Sequence, residues 1–292
     1  MFINYTQKKE GIYMKNENKE LLKPKYDVVF QALFQDNKEN ITQSFISDIL
    51  GEKVEIIDIK TDNSIARKYP FEKAGRLDLK TKFKDGTICQ IEMQMTDKKN
   101  TIKRILYYWS KSYSGQIRRG EDYQQLNKTI GIIITNYEVE ELKGIENLDA
   151  KWQIICDKND KRILTEDLEL HIIEIPKAKR IIEKEKYNRI AQWLMFLDNP
   201  NTERVEEIMK ENEEVKKANS VLHIMSEDEE LQRLAELKEK WARDESSALR
   251  SAREEGMEKE KTEIAKKMKE NGLDMELIEK ITGLTINVIE KL

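Results

Sequence analysis

Hydrophobic and polar positions alternate through two neighbouring stretches, Leu77–Phe83 and Thr87–Met95, the pattern of strands with one buried face. Lys84-Asp85-Gly86 separates them, and Asp-Gly is a hairpin signal. A two-residue turn would set Asp78 across from Met93 and mix polar with apolar on both faces. A three-residue loop with a left-handed Gly86 pairs Phe83 with Thr87 instead. That register aligns Leu77 and Leu79 with Met93 and Ile91. It sets Asp78 opposite Glu92 and Arg76 opposite Gln94, and burial selects it.

Before the hairpin, Pro24 suits the first turn of a helix. Val29, Leu33 and Phe34, then Phe45, Ile46, Ile49 and Leu50, predict two helical stretches ending at Gly51. Val54–Ile59 reads as a first strand, and Asn63–Pro70 as a loop or irregular strand. After the hairpin, Ile102, Ile105, Leu106, Trp109, Tyr113 and Ile117 predict an amphipathic helix between Lys98 and Arg119. Thr129–Thr135 is continuously apolar around Gly131, as in a strand buried on both faces. Strand, helix and buried strand make a parallel crossover. Trp152–Cys156 and Leu168–Ile175 predict two further strands, closed by Pro176. His171 alternates with apolar neighbours there and calls for solvent or a hydrogen-bond partner.

Beyond Pro176 the pattern is helical, first from Lys177 to Leu197 with a stop at Asn199-Pro200. Residues 203–270 are rich in Glu and Lys without a sustained heptad. Such helices could pack on the core or pair with a second chain as a homodimer. Asn271-Gly272 is a helix stop, and Asp274 and Thr285 can cap short helices after it. The resulting helical module resembles a helix-turn-helix, but its last helix offers only Asn287 and Lys291 to bases, which favours protein packing. The organisation predicted is a lead-in (1–20), an α/β domain (21–176), a charged helical region (177–262) and a small helical module (263–292).

Charge adds chemistry to this outline. Charged residues make up 37% of the 292 positions and hydrophobic ones 38%, so extensive solvated helix should accompany an ordinary core. The net charge of −4 argues against indiscriminate coating of nucleic acid. Locally the balance reverses. The Lys98–Arg119 stretch carries Lys98, Lys99, Lys103, Arg104, Lys111, Arg118 and Arg119 and no acid, which points to an anionic partner such as DNA. The alternative is a basic face balanced by acids elsewhere. Tyr107 and Tyr108 divide between packing and contact with sugar or bases, with at least one in the core. Cys89 and Cys156 lie in apolar runs and read as buried thiols. No apolar run is long enough to span a bilayer, and the first residues lack a signal-peptide apolar region. A cytoplasmic location is the expectation.

Asp78 facing Glu92 leaves two readings: solvated residues on a wet sheet face, or a pair of hard oxygen donors for a divalent cation. The order of Lys25-Tyr26-Asp27-Val28-Val29-Phe30, Arg76-Leu77-Asp78, Ile91-Glu92-Met93-Gln94 and Arg104-Ile105-Leu106-Tyr107-Tyr108-Trp109 resembles the PD-(D/E)XK nuclease superfamily. Within it the chain is similar to the Rpn family of recombination-promoting, transposase-like nucleases, over roughly residues 20–292. The resemblance implies an α/β/α sandwich on a mixed sheet, and metal-dependent cleavage of DNA phosphodiesters. It implies Mg²⁺ (or Mn²⁺ or Ca²⁺) held by Asp78, Glu92 and the Met93 carbonyl. It also offers Asp27 as an extra acid near the metal, although a carboxylate in a first helical turn has a plain role at the helix N-terminus. Many superfamily members carry lysine where this chain has Gln94. A neutral amide can orient water but supplies no charge, and Lys80 and Arg76 are the candidates to compensate. Lys103, Arg104, Tyr108, Lys111, Arg118, Arg119 and Arg76 are the candidate nucleic-acid contacts.

Overall fold

The computed structural model describes residues 20–35, 40–61, 79–157 and 161–292. The expectations for the lead-in up to residue 19, the 63–70 segment, Arg76, Leu77 and Asp78 therefore lie outside the described residues. The elements run α1 (Asp27–Phe34), α2 (Ile41–Leu50), β1 (Ile56–Thr61), β2 (Leu79–Phe83), β3 (Ile88–Gln94), α3 (Thr101–Ser114), β4 (Thr129–Thr135), β5 (Asp149–Trp152) and β6 (Leu168–Glu174). Then come α4 (Ile175–Ile181), α5 (Arg189–Asp198), α6 (Glu203–Glu211), α7 (Glu213–Met225), α8 (Glu229–Glu270), α9 (Met275–Thr282) and α10 (Ile286–Glu290). The strands form one mixed sheet in the order β1-β2-β3-β4-β6-β5. β1, β2 and β3 are antiparallel, β3, β4 and β6 parallel, and β5 antiparallel to β6. The predicted α/β fold with a helical C-terminal region is what forms.

The hairpin takes the register that burial selected. Leu79 pairs with Ile91 and Thr81 with Cys89. The Phe83 N–H donates to the Thr87 carbonyl at 2.9 Å, and the Gly86 N–H to Phe83 at 3.0 Å. Gly86 has φ +94°, and a Cβ there would meet Asn127 Oδ1 at 2.6 Å, so both conformation and space require glycine. Asp85 completes the turn by accepting from the Thr87 N–H and hydroxyl.

The sheet separates two apolar layers by residue parity. Leu79, Cys89, Ile91, Met93, Ile130, Ile132 and Ile134 join the larger one, with α1, α2 and α5. Its centre is aromatic: Phe34 and Phe45 lie 4.9 Å apart, and Phe45 meets Trp193 edge-on at 5.3 Å. The Trp193 indole donates to Asp48 at 2.7 Å, which ties α5 to α2 without leaving a buried polar group unpaired. On the other face Ile105, Ile102 and Trp109 of α3 cover Ile133, Leu170 and Ile172. Gly131 permits this close approach, since a Cβ would meet Leu170 at 2.9 Å and Ile105 at 3.5 Å.

Several expectations change in detail. Pro24 precedes α1 instead of lying in its first turn. The strand expected at Trp152–Cys156 runs earlier, at Asp149–Trp152, and beyond it only Ile155 bridges to Ile163. Cys89 is buried but Cys156 is exposed, because its segment leaves the sheet. The single helix expected from Lys177 to Leu197 divides into α4 and α5, and Pro176 opens α4. Packing also runs through Pro176: Ala178, Trp193, Val205, Val215, Leu222, Leu231 and Ala235 belong to the same cluster as Val29 and Ile91. The first turns of the charged region thus complete the main core. α8 then continues for 42 residues, roughly 60 Å, to a separate small cluster of Ala265, Ile278, Leu284 and Ile289. Asp274 caps α9 as predicted, whereas Thr285 sits at the N-cap of α10 without a side-chain cap bond. Among the described residues, no helix is long and apolar enough to cross a membrane.

Candidate active site

Glu92 lies one position beyond the last described rung of the hairpin, Leu79–Ile91. Its parity points it away from the aromatic core and towards α3, together with Gln90 and Gln94. It does not face water: only 3% of it is exposed. Gln94 Nε2 donates to Glu92 Oε1 at 2.5 Å, and Arg104 Nε donates to the same oxygen at 2.5 Å. Arg104 Nη2 also contacts Oε1. Burial pushes the Glu92 carboxyl up from its ordinary value, and Arg104 and Gln94 offset that only in part.

Local sequence explains how these groups meet. Alternation on β3 puts Gln90, Glu92 and Gln94 on one face. α3 is held over that face by a 2.5 Å hydrogen bond between Ser112 and the buried Gln90 amide, and by the Trp109 indole donating to the Thr129 carbonyl. Arg104 in its first turn then reaches Glu92, with its guanidinium 5.1 Å from the centre of the Tyr108 ring. At the head of α3, Thr101 and the Tyr137 hydroxyl are 2.7 Å apart. Burial raises the Tyr137 phenol, the Thr101 bond lowers it, and nearby Asp97 and Glu92 raise it further. Asp97, Thr101 and Tyr137 gather near Glu92 without having been singled out in the sequence. Tyr137 arrives from the end of β4, and no local pattern connects it with residue 92.

The other candidates separate. Lys80 pairs with Gln90 across the ladder and so shares the face of Glu92. Burial, and secondarily Lys60, holds its ammonium below the ordinary lysine range. Met93 turns its side chain into the main core. Asp27 opens α1, accepts from the Val28 N–H, and pairs with Lys238 of α8 at 2.8 Å. Asp78 and Arg76 lie outside the described residues.

The basic helix divides as well. Arg104 turns inward to Glu92, and Lys98 pairs with Glu245 of α8 at 2.7 Å, so acids elsewhere neutralise part of the charge. Tyr108 is 5% exposed and packs under Arg104, which corrects its placement on the outer, nucleic-acid-facing surface. Tyr107 is the exposed member of the pair, at 58%. Lys103, Lys111, Arg118 and Arg119 remain exposed, and Lys111 Nζ lies 6.0 Å from the Tyr107 ring.

A hard cation takes oxygen donors. The end of β3 offers the Glu92 carboxylate, the Gln94 amide oxygen and backbone carbonyls, which suits such an ion chemically. Among the described residues no three His, Cys, Asp or Glu side chains gather to hold a metal.

His171, the other residue of uncertain role, is 2% exposed and bridges two acids. Its Nδ1 is 2.7 Å from Asp149 and its Nε2 2.9 Å from Glu169. It has the hydrogen-bond partners its position in the strand called for.

Against known families, the model described as PD-(D/E)XK nuclease family transposase matches residues 24–252. No curated protein and no solved structure matches the chain.

Proposed function

Because the chain belongs to the PD-(D/E)XK nuclease family transposases, we propose that it is a metal-dependent endonuclease that hydrolyses DNA phosphodiesters during recombination or transposition. The observation that carries this reading is Glu92: a buried carboxylate beside Gln94, one position past the last described rung of the hairpin, Leu79–Ile91. A buried carboxylate with a perturbed environment and a specific charge partner is a candidate working group. Asp78, Glu92 and the Met93 carbonyl would hold Mg²⁺, or Mn²⁺ or Ca²⁺. Bound there, such an ion polarises a phosphate and makes water more acidic.

The chain's own groups supply the rest. Gln94 orients Glu92 and can hydrogen-bond water. Lys80, on the same face and partly desolvated, offers positive charge to the phosphate, with Arg76 in the same proposed role. Asp27 is proposed as an accessory acid whose charge α8 balances through Lys238. Lys103, Lys111, Arg118 and Arg119 would bind backbone phosphates, and Tyr107 takes the place first assigned to Tyr108. Homodimerisation is assigned to the C-terminal helices, where Leu277, Ile281 and Val288 are exposed.

The test is plasmid nicking in Mg²⁺, Mn²⁺, Ca²⁺ or EDTA, with Asp78→Ala and Glu92→Ala alongside. Cleavage that requires metal and disappears in both variants is the expected result; cleavage persisting in either would place the chemistry elsewhere. One observation favours a second reading, a non-catalytic DNA-binding protein on the same scaffold: Glu92 and Arg104 already form a paired unit. DNA binding without metal binding or cleavage would select it.

A further inference from the structure

Gln94 leaves the candidate centre without the lysine that many superfamily members place there, yet a cation is present. Arg104 directs both Nε and Nη2 at a single oxygen of Glu92. The carboxylate side chain is 4% exposed and the arginine side chain 30%, so the pair reaches the surface from the arginine side. The guanidinium is also held in place. It lies over the buried Tyr108 ring, on a helix whose head is joined to β4 through Thr101 and Tyr137. The charge is therefore fixed at the oxygen that a metal ion would need, and the arginine side of the pair is partly accessible.

We infer that Arg104 is a positioning residue, the exchangeable counter-ion of Glu92. It keeps this carboxylate oriented, competes with a divalent cation for Oε1, and on release presents its guanidinium to the substrate phosphate. The inference rests on the nuclease reading above. Its physical basis is that a divalent ion seated on Oε1 would stand within a few ångströms of the guanidinium and repel it. A planar guanidinium stacked on an aromatic ring can instead turn to a phosphate with little loss of order. Arg104 thus supplies, from a helix, charge that Gln94 cannot supply from the strand.

The experiment is calorimetric titration of the full-length protein with Mn²⁺ at one fixed pH near 8 and low salt. It compares wild type, Arg104→Ala, Arg104→Gln and, as a control, Lys82→Ala. Removing the competitor should tighten Mn²⁺ binding about tenfold or more in both Arg104 variants, about 1.4 kcal/mol per factor of ten. Lys82→Ala, which removes the exposed lysine of β2, should stay within about twofold. Plasmid nicking should fall in the Arg104 variants despite the tighter metal, a split that a purely structural role would not produce. If circular dichroism shows Arg104→Ala unfolded, Arg104→Gln, which keeps hydrogen bonding but not charge, gives the decisive value. Unchanged or weaker Mn²⁺ binding in a folded variant overturns the counter-ion role and leaves the nuclease reading standing. No Mn²⁺ binding by any protein, wild type included, overturns both.

Discussion

Two buried carboxylates on the same sheet are treated in opposite ways. Glu169 of β6 accepts from His171 and pairs with Lys128 and Lys151 at 2.9 and 3.1 Å. Burial alone would raise its carboxyl, but these three partners outweigh it and hold the group well below the usual range. Glu92 of β3 is equally buried, has Arg104 and one neutral amide, and is pushed up instead. The first cluster satisfies its charge from within the fold and asks nothing of a ligand. The second has one cationic partner among the described residues, Arg104, on a helix whose Lys103 and Lys111 face outward. Burial of an acid is thus common to both clusters, and on the proposed function the cations provided for it among the described residues distinguish them.

The largest expected effect breaks the comparison on the catalytic side. Glu92→Gln should remove metal-dependent nicking by about a thousandfold or more, the scale of losing a group that acts on the reacting centre. His171→Asn should leave nicking per folded molecule unchanged. Equal losses in both would end the distinction.

Next in size is stability. His171→Ala leaves Asp149 without its partner and takes one of three partners from Glu169, in a mostly buried cluster, and should cost about 3–5 kcal/mol in urea unfolding. Glu92→Gln should cost less, because its own charge is poorly compensated and the neutral amide keeps a hydrogen-bonding shape.

The pH dependence sharpens the same contrast. Burial acts to lower the His171 imidazole, but Asp149 and Glu169 outweigh it and raise it above the ordinary 6.5. Its contribution is therefore complete below about 6.5 and fades as pH climbs through the raised folded value. Glu169 is depressed, so its contribution is complete above its ordinary 4.5 and fades as pH falls towards the folded value. This cluster therefore contributes most between about pH 4.5 and 6.5. Thermal melts across pH should lose the alkaline decline in His171→Asn; a decline of the same size in the variant would assign it to other groups.

The smallest effect concerns the outward cations. Lys103→Ala and Lys111→Ala should each lower the slope of log affinity against log salt for DNA by about one, with little change in stability. Filter binding or anisotropy at several salt concentrations would measure it, and an unchanged slope would move the DNA path off α3.

Much of the framework was legible because it depends on local periodicity. The hairpin register followed from keeping Leu79, Phe83 and Ile91 on one side, and Gly86 with a positive φ follows from the turn. Buried β4 and the parallel crossover through α3 were readable from an unbroken apolar run after an amphipathic one. Tyr107 and Tyr108 show the limit. Both suited packing or contact, but only the rotation of α3 on the sheet buried one and exposed the other. Arg104 looked like its neighbours on a basic helix, and the amphipathic pattern could not reveal that the sheet below it carried an acid.

What the sequence determined by itself is therefore the set of elements, the face each strand buries and the order in which they join, since these follow from side-chain period and turn chemistry within short windows. Tertiary structure alone decided which charges meet: Arg104 with Glu92, Lys238 with Asp27, Lys98 with Glu245, and His171 with two acids. It also decided that helices beyond Pro176 complete the main core. The physical reason is range. Apolar burial leaves a repeating signature along the chain, whereas an ion pair depends on a few ångströms between residues whose separation in sequence carries no pattern.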